Sequence, residues 1–298
     1  MQAHFYPKPY QVDIFSRNSS FLHTESPVWD EAGQRLLFVD IASRMLLEVD
    51  RRRHCTVQEH GVDITSVNLT MSGGYILGGD ESIRLLGGAR LPIPLRTRGR
   101  SRLNDARVDA AGRLWLTSMD REEVNPTGVL ICLYPNAEQE TKFCELIVGN
   151  GLGWNRDGTL MYITDSKSGK IYCYDFNIRL AELANRRIFA DVPRSTGLPD
   201  GLAVDSEDCV WSAHFGGRRI TRYLPTGKID FYIELPVNSP TSICFGGPHF
   251  STLFITSSTL GTQDSTELDG SVLSIDTEFF GSKTNRFDDS KFLICGND

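Results

Sequence analysis

The twelve residues WNRDGTLMYITD, at positions 154–165, contain the unit from which most of this chain is built. An aromatic residue leads into an N-R-D-G turn, and an apolar run follows that ends in Thr and Asp. Turns rich in Asn, Asp and Gly commonly join the two strands of a hairpin. The stretch therefore predicts a β-hairpin with a short connection.

Five further stretches repeat this pattern at intervals of about 40 to 50 residues, and the second of them is a weaker copy. Each unit is followed by at least one more strand-like segment. The units begin at Val28, Asn68, Val108, Trp154, Val204 and Ile243.

Hairpins of this size cannot bury their faces alone, whereas radial stacking buries the faces and hides most strand edges. The sequence thus predicts an all-β fold, a six-bladed β-propeller in which residues 1–298 form a single domain around a central channel. We expect residues 11–15 to add a strand to the C-terminal blade and so close the ring. The most helix-like stretch, residues 180–187, is too short for more than a turn or two of helix.

Composition narrows the functional classes. Of the 298 residues, 40% are hydrophobic and 23% charged, as in ordinary soluble domains, and the net charge is -7. This charge, without a basic stripe, argues against nucleic acid or an anionic membrane as partner. No apolar run approaches the roughly 20 residues that span a bilayer, and the N-terminus lacks the apolar core of a signal peptide.

The seven cysteines are widely spaced and include no C-x-x-C pair, which is typical of reduced thiols. We expect a cytoplasmic protein, a monomer or weak homo-oligomer, that acts on a small molecule.

Polar residues recur where the chain enters the blades. In a propeller, the segments leading into the innermost strands meet at one mouth of the channel. Three of these segments offer a glutamate, an asparagine and an aspartate: Glu25, Asn150 and Asp200. Two carboxylates and one amide oxygen suit Ca²⁺, Mg²⁺ or Mn²⁺, could accept Zn²⁺, and leave positions open for water and substrate. The pattern predicts one divalent cation here, although each residue taken singly also fits an ordinary turn.

Seven motifs, in order along nearly the whole chain, carry a family likeness. They are ESPVW (25–29) with FVD (38–40), RLND (102–105), GRLW (112–115) with TSM (117–119), NGLGW (150–154), YITDS (162–166), PDG (199–201) and FGGP (245–248). On these motifs the chain resembles the family of regucalcin (senescence marker protein), gluconolactonase and related sugar lactonases. The resemblance implies a six-bladed propeller with one divalent metal near the channel axis, and hydrolysis of a sugar (aldono-)lactone to the aldonic acid.

The resemblance also implies roles for individual residues. Arg102 and Asn104 look like the sugar-binding pair, and Glu122 falls where some members have an acidic substrate contact. Asp200 looks like the catalytic base as well as a ligand. The implied metal ligands are Glu25, Asn150 and Asp200.

The chain departs from the family pattern at Ser26, where the family usually has glycine after the ligand glutamate. Serine resists backbone angles that glycine permits, so we expect the turn to differ there. The second blade is also poorly matched.

Simpler interpretations remain open at several residues. Arg102 could pair with Asp105 or Asp109 at the surface, and Asp105 and Asp165 favour roles in turns. His214 could be a core histidine or could line the channel.

Two rival functions use the same fold. One is a phosphotriesterase-like or other lactone or ester hydrolase on a similar metal propeller. The other is a non-catalytic, calcium-binding, regucalcin-like protein.

Overall fold

The computed structural model describes residues 7–18, 20–85, 90–95, 97–261 and 266–291, and of Cys144 the backbone alone. These residues form six antiparallel sheets of four strands each. From the innermost strand outward, blade 1 contains β2 (Thr24–Asp30), β3 (Arg35–Asp40), β4 (Met45–Asp50) and β5 (Cys55–Glu59); blade 2 contains β6 (Ser66–Leu69), β7 (Tyr75–Gly79), β8 (Ser82–Leu85) and β9 (Arg90–Pro92). Blade 3 contains β10 (Ser101–Val108), β11 (Leu114–Asp120), β12 (Gly128–Leu133) and β13 (Gln139–Leu146); blade 4 contains β14 (Gly149–Trp154), β15 (Leu160–Asp165), β16 (Lys170–Asn177) and β17 (Glu182–Asp191). Blade 5 contains β18 (Leu198–Val204), β19 (Val210–Phe215), β20 (Arg219–Tyr223) and β21 (Ile229–Glu234); blade 6 contains β22 (Ser239–Gly246), β23 (Thr252–Ser258), β24 (Val272–Asp276) and β1 (Asp13–Ser16).

The six blades form a closed ring, which confirms the predicted propeller. The innermost strands of neighbouring blades contact each other all the way round, from β2 and β6 through β10, β14 and β18 to β22, which returns to β2. Blade 6 is built from both ends of the described chain, because β1 pairs antiparallel with β24, Asp13 opposite Ser274. The prediction that residues near 11–15 close the ring is therefore confirmed.

The repeated turn has a clear physical basis. Asp109 accepts hydrogen bonds from two backbone N–H groups of its own turn and from the indole N–H of Trp115, at 2.8 Å. Asp205 makes the same set of bonds in blade 5, with Trp211 also at 2.8 Å. Both tryptophans are fully buried between blades. The aspartate thus fixes the hairpin and orients the aromatic residue that packs the blade.

Residues 180–187, the stretch with the most helical pattern, do not form helix. They turn and then enter β17, whose backbone pairs with β16. An outer strand takes its conformation from the strand beside it, and that pairing overrides a weak local helix propensity. The one helical segment in the described part of the chain is the three-residue 3₁₀ turn Arg194–Thr196, so no helix there is long and apolar enough to cross a membrane.

The segment after β24 crosses the far end of the channel. It forms an isolated bridge to blade 5 through Gly281 and another to blade 2 through Phe287, whose ring is fully buried among side chains of blades 2 and 3. Arg286 pairs with Asp30 of blade 1 at 2.8 Å. This segment therefore ties several blades together at the end opposite the predicted site.

The cysteines whose side chains are described are free thiols, as predicted: Cys55, Cys132, Cys173, Cys209 and Cys244. Burial raises the pKa of Cys132 and of Cys244 to about 12, so both remain protonated and unreactive at neutral pH. Cys295 and the side chain of Cys144 lie outside the described residues.

Candidate metal centre

Five of the six innermost strands carry a β-bulge near their first residues. The register with the second strand shifts at residues 25–28 in β2, 149–152 in β14 and 199–202 in β18, and β10 and β22 shift in the same way. A bulge leaves a residue outside the ladder and re-aims its side chain. Strand β6 of the poorly matched blade 2 pairs in continuous register and supplies none of the predicted ligands. Each predicted ligand therefore lies within a bulge or at its edge.

The residue after each predicted ligand packs against the next blade. A side chain on Gly151 would come within 2.4 Å of a backbone nitrogen of β18, and one on Gly201 within 2.1 Å of a side-chain oxygen of β22. Blade 1 has Ser26 at this place, with a left-handed φ of 51°. The Val67 N–H of blade 2 donates a hydrogen bond to its hydroxyl oxygen at 3.1 Å. The expected difference at Ser26 is therefore a strained backbone held by a contact between blades.

Glu25, Asn150 and Asp200 line one cavity of about 140 Å³ at the channel mouth. Each is buried, with 5–6% of its surface exposed. The Ser26 N–H donates to Glu25 Oε2 at 2.8 Å, and the Asn150 amide nitrogen donates to Ser166 Oγ at 3.2 Å. Asn150 Oδ1 and Asp200 Oδ1 are buried without a hydrogen-bond partner in the part of the chain that the structure describes. Buried acceptors of this kind are costly to leave unpaired, and a cation would satisfy them.

Three buried carboxyl groups gather at this end of the channel. Burial raises the pKa of Glu25 and of Asp200; the negative charge of Asp105 raises both further, and that of Glu25 also acts on Asp200. Burial likewise raises the pKa of Asp105, whose Oδ1 accepts the Ala106 N–H at 2.7 Å while its Oδ2 has no partner. Asp105 thus makes the local bond expected of a turn residue and also adds negative charge to the site. A divalent cation would offset this repulsion.

The donor set fits a hard divalent cation, because all the available atoms are carboxylate or amide oxygens. Within the described ranges, no three side chains of the His, Cys, Asp and Glu types form a group that could hold a metal. A cation at this place would therefore need the amide oxygen of Asn150 beside the two carboxylates.

Arg102 and Asn104 line the same cavity and are bonded to each other. Arg102 Nη1 donates to Asn104 Oδ1 at 2.8 Å and to the Leu103 carbonyl at 3.0 Å. The Asn104 amide nitrogen donates to the Gly149 carbonyl of blade 4 at 2.9 Å. Arg102 therefore bonds to its neighbours in the cavity wall, whereas Asp109, one of its possible ion-pair partners, is paired with Arg113.

The acidic residue of this loop that lines the cavity is not the predicted Glu122. Glu122 is exposed and does not line the cavity; its carboxylate is 4.0 Å from Arg100. The next residue, Glu123, lines the cavity and forms an ion pair with Lys167 of blade 4 at 2.8 Å. Glu123 has a left-handed φ of 57°, which changes the direction of the chain in this loop. The sequence has two adjacent glutamates in a variable loop, and it does not show which of the two faces the cavity.

Besides Glu123, two more titratable residues of the cavity were not predicted as site residues from the sequence. One is Lys167 and the other is His23, whose Nδ1 is 2.8 Å from Ser258 Oγ and whose pKa burial lowers to about 4. His23 lies two residues before Glu25, and that proximity was the only available signal. His214 is a core histidine: it is buried, with its ring nitrogens 2.9 Å from the Thr196 carbonyl and 3.3 Å from the Tyr223 hydroxyl.

The fold and this cavity define a six-bladed propeller with an oxygen-rich polar site at one mouth of its channel. The chain belongs to the family described as the SMP-30/gluconolactonase/LRE-like region, whose model matches residues 23–259. It is 34% identical over 246 residues to regucalcin of Macaca fascicularis, a match that covers 78% of this chain and 82% of that protein. Membership of this family supports a lactonase-like function.

Solved structures have the same fold. A calcium-binding protein, regucalcin, of Agrobacterium tumefaciens superposes with a TM-score of 0.85 at 21% identity, over 94% of this chain and 98% of that one. A gluconolactonase of Xanthomonas campestris superposes with a TM-score of 0.72 at 20% identity, over 90% of this chain and 89% of that one.

Proposed function

We propose that this protein hydrolyses a sugar (aldono-)lactone to the aldonic acid and that it needs one divalent cation. The observation that carries the proposal is the convergence of Glu25, Asp200 and the unpartnered Asn150 oxygen on one small cavity beside Arg102. These side chains would hold Ca²⁺, Zn²⁺, Mg²⁺ or Mn²⁺. When bound, such an ion supplies Lewis-acid stabilisation of the negative charge that develops on the lactone carbonyl oxygen.

Asp200 is the catalytic base in this proposal. Its unpartnered Oδ1 would accept a proton from the water that adds to the carbonyl carbon. The ring C–O bond then breaks, and the proton returns to the departing ring oxygen, so that the product is the open-chain hydroxy acid. Holding a cation and accepting a proton compete for the same carboxylate, which makes Asp200 the residue most sensitive to substitution.

Arg102 and Asn104 would bind the sugar. Because Arg102 uses Nη1 on Asn104 and Leu103, its other N–H groups remain for ring oxygens. We place the acidic substrate contact at Glu123 rather than Glu122, since Glu123 lines the cavity. Its ion pair with Lys167 joins the loops of blades 3 and 4 beside the substrate.

A non-catalytic, calcium-binding role is the second candidate, because the curated relatives are named regucalcin and the same cavity could hold the ion without turnover. The two candidates share the metal site and differ in chemistry, so one set of measurements separates them.

The test is hydrolysis of a panel of aldonolactones, followed as acid release in a weakly buffered pH indicator. The protein is stripped with a chelator and then given each of the four cations in turn, with melting temperature measured in parallel. We expect one cation to restore turnover and raise the melting temperature. Asp200→Ala should lose both effects, whereas Asp157→Ala, at an exposed turn, should keep both.

A raised melting temperature without turnover of any lactone would refute the lactonase and support the calcium-binding candidate. If phosphotriesters are added to the panel and they alone are hydrolysed, the phosphotriesterase-like alternative would be favoured. Full activity of Asp200→Ala would overturn the assigned base and ligand.

A further inference from the structure

A second cavity lies at the other end of the channel. The first residues of the innermost strands line the candidate metal centre, and the later residues of all six strands line this space of about 160 Å³. Residues 281–285 of the C-terminal segment complete its wall. This volume is close to that of the candidate metal centre, so the chemistry of the lining, and not its size, decides which ligand fits.

The charge of this cavity is wholly positive. Among its twenty lining residues the charged ones are Arg107, from β10, and Lys283, from the C-terminal segment. No aspartate or glutamate of the described residues lines it. This composition is the reverse of the candidate metal centre, where three carboxyl groups converge.

Three buried donors in the lining have no acceptor within the described ranges. They are Arg107 Nη2 and the indole nitrogens of Trp29 and Trp154. The other two tryptophans differ, because the Trp115 and Trp211 indole groups each donate to an aspartate at 2.8 Å. Guanidinium and indole groups can donate but cannot accept, so they cannot satisfy one another.

Arg107 is also without an ion pair among the residues that the structure describes. Its Nη1 donates to the Ala106 carbonyl at 3.5 Å. The two fully buried arginines of the ring are matched, Arg113 with Asp109 at 2.7 Å and Arg222 with three carboxylates, and the half-buried Arg102 donates to Asn104 and to the Leu103 carbonyl. Arg107 is half-buried, but its Nη2 atom is buried without an acceptor, so this cation points to a ligand of opposite charge.

The carboxylates of the metal centre do not supply that partner. Arg107 lowers the pKa of Glu25 and of Asp105 through its charge, yet it forms no salt bridge or hydrogen bond with either in the structure. Its long-range attraction to them leaves the Nη2 donor unsatisfied.

We infer that this cavity binds a small oxyanion, of the size of phosphate, sulfate or a short carboxylate. Arg107 is the principal ligand, the indole N–H groups of Trp29 and Trp154 are secondary donors, and Lys283 attracts the ion from the exposed side. The site is separate from the proposed lactone site and does not depend on lactonase activity.

The test is calorimetric titration of the full chain with inorganic phosphate and with sulfate, at constant ionic strength set by chloride, with and without Ca²⁺. We expect saturable binding in both conditions. Arg107→Gln should weaken it on the order of 10- to 100-fold, the usual effect of losing a hydrogen bond to a charged group. Trp154→Phe and Lys283→Gln should weaken it severalfold.

Two controls locate the ion. Trp115→Phe removes an indole N–H that already has an acceptor, so it should leave anion affinity unchanged. Crystals soaked in selenate should show an anomalous peak beside Arg107. Absence of saturable binding would overturn the inference, and so would binding that survives Arg107→Gln and Trp154→Phe but is lost in Arg102→Gln. If Arg107→Gln does not fold, Trp154→Phe and the selenate peak decide the question.

Discussion

Ser26 offers a quantitative test of how the candidate metal centre is held. Its left-handed backbone costs a non-glycine residue about 1–2 kcal/mol. Its hydroxyl oxygen accepts the Val67 N–H in a buried setting, and losing that acceptor costs about 1–3 kcal/mol. Ser26→Ala loses the hydrogen bond and keeps the strain. Ser26→Gly loses the same bond and relieves the strain, but its freer unfolded chain offsets about 0.5–1 kcal/mol of the gain.

Both variants should therefore be less stable than the parent chain, and Ser26→Gly should be more stable than Ser26→Ala by about 0.5–1 kcal/mol. Equilibrium urea unfolding measures the order of the three stabilities, if the dependence of the unfolding free energy on urea concentration has the same slope for all three proteins. Because the backbone N–H that holds Glu25 is retained in both, divalent-cation affinity should change by less than about threefold, within 1 kcal/mol. If Ser26→Ala matched or exceeded Ser26→Gly in stability, the strained-turn explanation would be wrong.

Three more outcomes can be checked by unfolding measurements. Asn150→Ala should abolish the stabilisation given by a divalent cation, about 2.7 kcal/mol at one hundred times the dissociation constant, whereas Asn155→Ala should lose turn stability and keep that gain. Phe287→Ala should cost about 3–5 kcal/mol in urea, because its ring is fully buried between blades, while Phe280→Ala, 49% exposed, should cost far less. Burial lowers the pKa of His214 from 6.5 to about 4, so its neutral form favours the folded state; the contribution of His214 to stability, about 3 kcal/mol, should be fully present above pH 6.5 and lost as the pH drops toward 4. A His214→Gln variant should show a flatter pH profile between pH 6.5 and 4, and an unchanged slope would contradict the assignment.

The architecture could be predicted because each blade repeats a local signal. Asp109 and Asp205 each bond their own turn and a tryptophan six residues on, so the chemistry lies within one short stretch. The repeat count then fixes the number of blades. Ring closure by β1 was predictable because the last repeat needed one more strand.

Other features depend on contacts that a local pattern does not contain. The bulges depend on register between strands, and sequence alone does not distinguish a bulged residue from a paired one. The choice between Glu122 and Glu123 depends on a single left-handed residue in a loop. The strand at residues 182–191 follows from pairing with β16 rather than from its own propensity. The donors Arg107, Trp29 and Trp154 line one cavity only because the distant strands β10, β2 and β14 share one axis.

The candidate metal centre also depends on closure of the whole ring. Glu25 belongs to blade 1 and Asp200 to blade 5, and blade 6 lies between them. Blade 6 combines the N-terminal strand β1 with β22, β23 and β24, and its Thr241 hydroxyl donates to the Thr24 carbonyl at 2.6 Å, directly beside Glu25. The position of Glu25 relative to Asp200 therefore depends on the contact between blades 1 and 6. A cation that needs both would bind the closed propeller alone and would stabilise it by mass action. The repulsion between the buried carboxylates disfavours closure of the ring. Binding of the cation, which completes the proposed site, would relieve that repulsion.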